Sequence, residues 1–323
     1  MNVAVLGVGS MGQNHARVFS ELANLVCVCD GRQEQAEKIA KKFNTKWYID
    51  YHDVLKDRSV EAVSIATPTS THFRIAVDAL NAGKHVLIEK PICSTEDEAA
   101  ELIRTAEATG MTLAVGLIER HNPAVRVTKE LIKKNEFGDV VTMASRRVSM
   151  NPARIQDSGV IMDMGTHDID IMRYFAESPV ETVYSVHSLK EREDFAAILL
   201  TFENGIYASI EVNWLTPMKV RKASLTCSRK FVEIDYMNQT IQVSSSQFMD
   251  HTPDNLFQVP QEYDVRLVTL RKEEPLKNEL TDFINAVRTG KPPLVTGTEA
   301  LETLKVVNAA IESGKTKMPV TIK

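Results

Sequence analysis

The chain has 323 residues, 43% of them hydrophobic and 25% charged, with a formal net charge of −5, which is the profile of a globular protein with two self-sufficient cores. No stretch approaches the roughly 18 unbroken apolar residues of a membrane span, and a mildly acidic chain without a dense Lys/Arg block excludes a nucleic-acid partner held through its backbone. Four scattered cysteines, Cys27, Cys29, Cys93 and Cys227, form neither a C-x-x-C pair nor a disulfide framework, and the first residues lack a basic leader, so a reducing, cytoplasmic setting is expected.

Residues 2–6 are a short apolar run suited to a strand buried on both faces, and they lead into Gly7-Val8-Gly9-Ser10-Met11-Gly12 and a helix over 15–22. In that setting Gly7 permits a tight turn, Gly9 lets a pyrophosphate approach the backbone, and Gly12 allows close helix–strand packing. The free N–H groups and the dipole of the helix then face the phosphates. A second strand over 25–29 ends at Asp30, 18 residues after Gly12, where a carboxylate hydrogen-bonds a ribose 2′-hydroxyl and repels a 2′-phosphate. Arg32 is able to cover such a phosphate, so NADP stays open, but the simpler reading is NAD. The structural alternative is a glycine-rich turn of some other α/β protein.

The alternation continues with a helix over 33–43, a short segment around Trp47, a helix near 53–55, strand 62–66, helix 71–82, strand 85–88, helix 95–109 and strand 112–115. Right-handed crossovers place the carboxyl ends of parallel strands on one edge, where ligands bind. Thr67 and Pro68 leave a strand at that edge and can touch the nicotinamide ribose, although the hydroxyls of this loop serve equally well as helix caps. His72, in the next helix, reads as packed or solvated rather than catalytic. Glu89-Lys90-Pro91 closes a further strand at the same edge.

After Val115 the period changes. A helix over 124–134 is followed by alternating runs at 140–148, 182–188, 196–202, 206–214, 223–227, 231–235 and 240–244, with helices at 165–175, 276–289 and 298–313. Gly290 and Gly314 read as stop signals for the last two helices, and the residues from Ser244 to Ser246 and those over 247–262 read as loop. The expected fold is α/β, with a Rossmann dinucleotide-binding domain over 1–120 and an α+β domain over 121–323. The second domain would be built on a large open, mainly antiparallel sheet. Such a sheet keeps one face free, and a partner's sheet is one way to cover it, hence a homo-oligomer of two or four copies.

Within the second domain Asp163-Met164-Gly165-Thr166-His167-Asp168-Ile169-Asp170 stands out. On a helix, Asp163 and His167 are four residues apart and share a face. A carboxylate that orients an imidazole makes a general base able to take an alcohol proton while hydride leaves the same carbon. Three other readings compete: an N-cap at Asp163, half of a metal site, or a polar helix face. A third and fourth ligand at suggestive spacing are missing nearby, so no metal is expected.

Taken together, Gly7-x-Gly9-x-x-Gly12, Glu89-Lys90-Pro91 and Asp163-x-x-x-His167 followed by Asp170 resemble the family of glucose-fructose oxidoreductase, inositol dehydrogenase and rhizopine-catabolism proteins over nearly the whole chain. The resemblance implies NAD(P)-dependent oxidation of a sugar hydroxyl, with Lys90 as the cation on the reacting oxygen, Asp163 as a substrate or base-orienting carboxylate and His167 as the acid/base. It also implies a cis Lys90–Pro91 peptide and a cofactor set of Gly7, Gly9, Ser10, Met11, Gly12, Asp30, Arg32, Thr67, Pro68, His72, Glu89 and Lys90. A narrower resemblance, over residues 116–124, Arg146-Arg147 and 167–174, is to the branch that oxidises UDP-N-acetylglucosamine at its 3-hydroxyl. The sequence departs from that branch at His121 and at Met164-Gly165-Thr166. A diphosphate would suit the guanidinium forks of Arg120, Arg146, Arg147 and Arg154; the competing reading makes them solvated or ion-paired. The expected substrate set is Lys90, Arg120, Asn122, Arg147, Arg154, Asp163 and His167. A dehydrogenase of free sugars or inositols is the second reading, and a nucleotide-binding regulator without turnover the third.

Overall fold

The computed structural model describes residues 1–150, 158–188, 192–248 and 260–322, with the backbone alone over 246–248 and 260–263. Arg154 therefore falls outside the described residues. The chain divides into two compact units, one of Met1–His121 with Glu274–Lys305, the other of Asn122–Glu273 with Val306–Lys323.

The first unit alternates β1 (Asn2–Leu6), α1 (Gly12–Leu22), β2 (Asn24–Cys29), α2 (Gln33–Phe43), β3 (Lys46–Tyr48), α3 (Tyr51–Lys56), β4 (Ala62–Ile65), α4 (His72–Asn81), β5 (His85–Glu89), α5 (Glu96–Thr109) and β6 (Leu113–Gly116). Its strands are parallel and ordered β3-β2-β1-β4-β5-β6. The order reverses beside β1, the switch point at which this architecture binds ligands. Buried Val3, Ala4 and Val5 make β1 a central strand, and Ala16, Val18 and Phe19 give α1 the stripe that packs against the sheet. At the start of α5 the Thr95 hydroxyl accepts the Glu98 N–H while the Glu98 carboxylate reaches back to the Thr95 N–H, a reciprocal cap.

The second unit holds α6 (Pro123–Lys133), β7 (Val140–Met150), α7 (Thr166–Ala176), β8 (Val180–His187), β9 (Phe195–Phe202), β10 (Tyr207–Asn213), β11 (Leu215–Cys227), β12 (Phe231–Asp235), β13 (Thr240–Phe248) and β14 (Pro260–Val268). The chain ends with α8 (Pro275–Thr289), α9 (Gly297–Thr316) and β15 (Val320–Thr321). The sheet runs β14-β13-β12-β11-β7-β10-β9-β8-β15, antiparallel except for the β7–β10 pair. Alternation along β9 and β10 sends Ile198, Leu200, Ile210 and Val212 into a core with Ile169, Met172 and Phe175 of α7. The opposite face exposes Tyr184, Val186, Leu199 and Tyr207.

Several elements differ from those the sequence leads one to expect. Residues 215–222 are strand: β11 pairs with β7 through a register jump between Leu215 and Val220, and an irregular strand of that kind hides its period of two. The loop expected over 244–262 is shorter, because β13 continues to Phe248 and β14 begins at Pro260; the Ser-rich run is ladder rather than turn. Gly314 does not stop α9, which continues to Thr316. A Cβ at Gly314 would lie 1.8 Å from His187 Cδ2, so this glycine serves close packing against β8. Lastly, a single cut after residue 120 assigns α8 to the second unit, whereas Leu276, Leu280, Phe283 and Ile284 share a core with Phe19, Val28 and Leu87 of the first.

Candidate functional site

In the first unit the glycine loop has the geometry of a phosphate cradle. Gly7 sits at φ +80, and a Cβ there would lie 2.7 Å from Ala66 O; a Cβ at Gly12 would lie 1.8 Å from Gly7 O. Neither position accepts a side chain without moving backbone. A Cβ at Gly9 would meet nothing within 4 Å. α1 begins after Met11 without a side-chain cap, which leaves its amino end to a ligand. These observations fit a dinucleotide pyrophosphate on the backbone from Gly7 to Gly12, with exposed Ser10 and half-buried Met11 at its margin.

Asp30 follows β2 at the same edge. Its Oδ2 accepts the Val8 N–H at 3.1 Å, and its Oδ1 accepts Arg32 N and Nε at 3.0 and 3.2 Å. The Arg32 side chain is 70% exposed and that of Asp30 10%, so the carboxylate is fixed and the guanidinium is the mobile partner. Gln35 donates to Val8 O at 2.6 Å and ties α2 to the same loop.

The next loops are held by His72. Its Nδ1 lies 2.9 Å from Pro91 O and its Nε2 2.9 Å from Thr67 O. Burial pushes the ring below the ordinary histidine range, and a neutral ring donates to one of these carbonyls at a time. His72 thereby joins the Thr67-Pro68 loop to the Glu89-Lys90-Pro91 turn, in which Lys90–Pro91 is cis. The Thr71 hydroxyl bonds Thr67 Oγ1 at 2.8 Å and Pro68 O at 2.7 Å, so the loop's hydroxyls shape a turn rather than cap α4. Beneath the turn, Glu89 Oε2 accepts the Lys90 N–H at 3.1 Å, and Glu89 Oε1 accepts from His15 Nε2 at 2.9 Å.

In the second unit the Asp163 segment is not plain α-helix. Residues Ile161–Gly165 form a π-helical turn, closed by the Thr166 N–H on Ile161 O, and α7 begins at Thr166. Asp163 is therefore in the wide turn and His167 in the first α-turn, an arrangement that four-residue α spacing does not describe. Turns of this kind recur at functional sites. Both residues are half-buried, whereas Asp168 and Asp170 are fully buried.

Several residues expected to meet substrate are engaged by the fold. Arg147, 1% exposed, donates from Nε to Asp168 Oδ2 and lies over the Tyr236 ring at 5.5 Å. Asn122 caps α6 by accepting the Ala124 N–H at 3.1 Å and donates to Tyr236 O at 3.0 Å. Arg120, buried within the first unit, pairs with Glu299 at 2.8 Å, and Arg146 pairs with Glu211 at 3.0 Å on the open sheet face. Burial pushes the thiols of Cys27, Cys29 and Cys93 up to about 12 and that of Cys227 up to about 11, so none is a thiolate nucleophile at neutral pH.

Sequence reasoning overlooked His15 and Glu279, which lie beside Glu89, and Ser64, which bonds the other ring nitrogen of His15. The signal for Glu279 was there: it lies on the Leu276, Leu280, Phe283 stripe, an acid at a core position.

A parallel sheet with this glycine loop and terminal acid defines an NAD-binding oxidoreductase fold. Residues 1–117 match the oxidoreductase family's NAD-binding Rossmann fold and residues 129–322 its C-terminal alpha/beta domain. The chain belongs to the family of glucose-fructose oxidoreductase, inositol dehydrogenase and rhizopine-catabolism proteins, and is an NAD-dependent oxidoreductase. It is 29% identical to UDP-N-acetylglucosamine 3-dehydrogenase from Acidithiobacillus ferrooxidans over 97% of this chain and 98% of that protein. It is equally 29% identical to scyllo-inositol 2-dehydrogenase (NAD(+)) from Bacillus subtilis over 99% of this chain and 95% of that protein. The solved structure of the Acidithiobacillus ferrooxidans enzyme superposes with a TM-score of 0.87 at 27% identity, covering 98% of each chain. Among the described residues no helix is long and apolar enough to cross a membrane.

Proposed function

We propose that the protein oxidises a secondary hydroxyl of a sugar, namely the 3-hydroxyl of UDP-N-acetylglucosamine, with NAD as hydride acceptor. The observation that carries this reading is the end-to-end similarity, in sequence and in fold, to an enzyme of that name. Bound NAD supplies an electrophilic carbon that takes the hydride. The loop from Gly7 to Gly12 holds its pyrophosphate, Asp30 its adenosine ribose, and Thr67, Pro68 and His72 shape the edge beyond. His167 takes the hydroxyl proton, oriented by Asp163, and the Lys90 ammonium stabilises the charge that develops on the oxygen. An inositol or another free cyclic polyol is the second reading. It is favoured by the engagement of Arg120 and Arg147 with carboxylates, since neither is left as a bare fork for a diphosphate. Turnover of UDP-N-acetylglucosamine, N-acetylglucosamine and scyllo-inositol under identical conditions separates the two.

The open sheet face is read as the contact with a second copy. Tyr184, Leu199 and Ser209 are cross-strand neighbours on it, beside Arg146, Glu211 and Lys222 around a depression of about 800 Å³. Apolar residues rimmed by both signs of charge suit a self-complementary interface. Sedimentation at micromolar concentration tests this, and a monomer there contradicts it.

A further inference from the structure

The carboxyl group of Glu279 is 2% exposed, and among the described residues neither of its oxygens has a hydrogen-bond partner. One of those oxygens, a ring nitrogen of His15 and an oxygen of Glu89 all lie within 4.8 Å of one another. Two carboxyl groups are thus buried side by side, and ionising both in a desolvated pocket is costly unless each finds a cation. Glu89 has its partners: the His15 ring, the Lys90 N–H and the charge of Lys90. Burial alone would raise its pKa, but these contacts outweigh it and hold Glu89 below the ordinary carboxylate range. Glu279 meets the opposite situation. Burial, reinforced by the charges of Glu89 and Asp282, pushes it well above the ordinary range.

The charged groups on the packed elements do not reverse this. On α1, Arg17 pairs with Glu21 and Glu274, and Glu21 also with Lys277 of α8. In the turn Ile118–His121, which bears Glu119 and His121, Arg120 pairs with Glu299. On α8 itself, Asp282 accepts the Leu294 N–H. A divalent cation is the other way to reconcile two carboxylates with a histidine, but the donors it needs are in use. His15 has Ser64 Oγ at 2.8 Å on Nδ1 and Glu89 at 2.9 Å on Nε2, and both Glu89 oxygens already accept hydrogen bonds. Room for this arrangement is built in, since a Cβ at Gly116 would lie 3.2 Å from Glu89 Cδ.

We propose that His15, Glu89 and Glu279 form a buried proton-holding cluster beneath the Glu89-Lys90-Pro91 turn. In it Glu279 is the neutral acid and Glu89 the single carboxylate, a positioning residue for Lys90. The proton's location stands independently of the proposed reaction; the positioning of Lys90 rests on the reading of Lys90 as the cation on the reacting oxygen.

The experiment has two arms. Infrared spectra of the whole protein near pH 7, unlabelled and with 13C-glutamate, are expected to show the carbonyl band of a protonated glutamic acid, shifted by the label and lost in Glu279→Gln. The unmodified protein is expected to lose thermal stability relative to Glu279→Gln as pH rises from about 5 to about 8, because its unfolded chain releases a proton that the folded chain keeps. Absence of the band in the unmodified protein overturns the proposal, as does a stoichiometric metal ion on elemental analysis that Glu279→Gln no longer carries. In the second arm, Glu89→Gln is expected to lower kcat by about tenfold or more while KM for the sugar stays within about twofold, because the Lys90 ammonium is misplaced rather than lost. This is read with NAD and UDP-N-acetylglucosamine, or with scyllo-inositol if that alone is oxidised. An unchanged kcat with the infrared band present overturns the positioning of Lys90 and leaves the proton where it is.

Discussion

Arg147 and Asp168 form an ion pair in the core of the second unit, with the arginine side chain 1% exposed and the aspartate fully buried. The pair joins β7 to α7. Removing one partner leaves an uncompensated buried charge, so Arg147→Ala is expected to cost about 3–5 kcal/mol in denaturant unfolding, and a joint apolar replacement of both residues to recover most of it. A fully stable Arg147→Ala protein with KM raised for the UDP-sugar alone would return this arginine to the substrate.

Asp30 is the residue proposed to select the dinucleotide. Its two oxygens are occupied by Val8 and Arg32, so Asp30→Ser removes the anion proposed to meet the ribose and releases the guanidinium together. The preference for NAD over NADP is expected to narrow by at least about tenfold, the worth of one charge-assisted hydrogen bond. Binding titrations with both cofactors check this; an unchanged ratio removes Asp30 from the discrimination.

Gly314 offers a test of packing. Alanine inside a helix ordinarily gains about 0.5–1 kcal/mol over glycine, but here the Cβ would collide with the His187 ring. Gly314→Ala is expected to destabilise by about 1–3 kcal/mol, and His187→Ala in the same chain to relieve it. A more stable Gly314→Ala protein would show that the ring moves aside freely.

The first unit was legible because each of its signals is local. Strand, glycine turn, helix and terminal acid lie within residues 2–30, and buried parallel strands read as unbroken apolar runs. What stayed hidden depends on distant partners. The stripe of Leu276, Leu280 and Phe283 marks Glu279 as an acid at a core position but not Glu89 as its neighbour, and Arg147 reads as a phosphate ligand until Asp168 is seen beside it. The π-helical turn at Asp163 has no local spacing that distinguishes it from α-helix, and β11 loses its alternation at a bulge.

The proposed base is His167. His167→Ala is expected to lower kcat by ~10²–10⁴ fold while NAD binding, for which the proposed contacts are all in the other unit, stays within about twofold on fluorescence titration. Turnover at the parent rate would remove His167 from the chemistry.

The rate of NADH formation from NAD with UDP-N-acetylglucosamine, run beside N-acetylglucosamine and scyllo-inositol, decides both the reaction and the substrate. NADH is expected with the UDP-sugar, with a collapse of kcat/KM when the nucleotide is removed, since its remote binding energy is then lost, and no turnover by Lys90→Ala. NADH from scyllo-inositol and none from the UDP-sugar would contradict the substrate assignment, and no NADH from any secondary alcohol in the set would contradict the reaction itself.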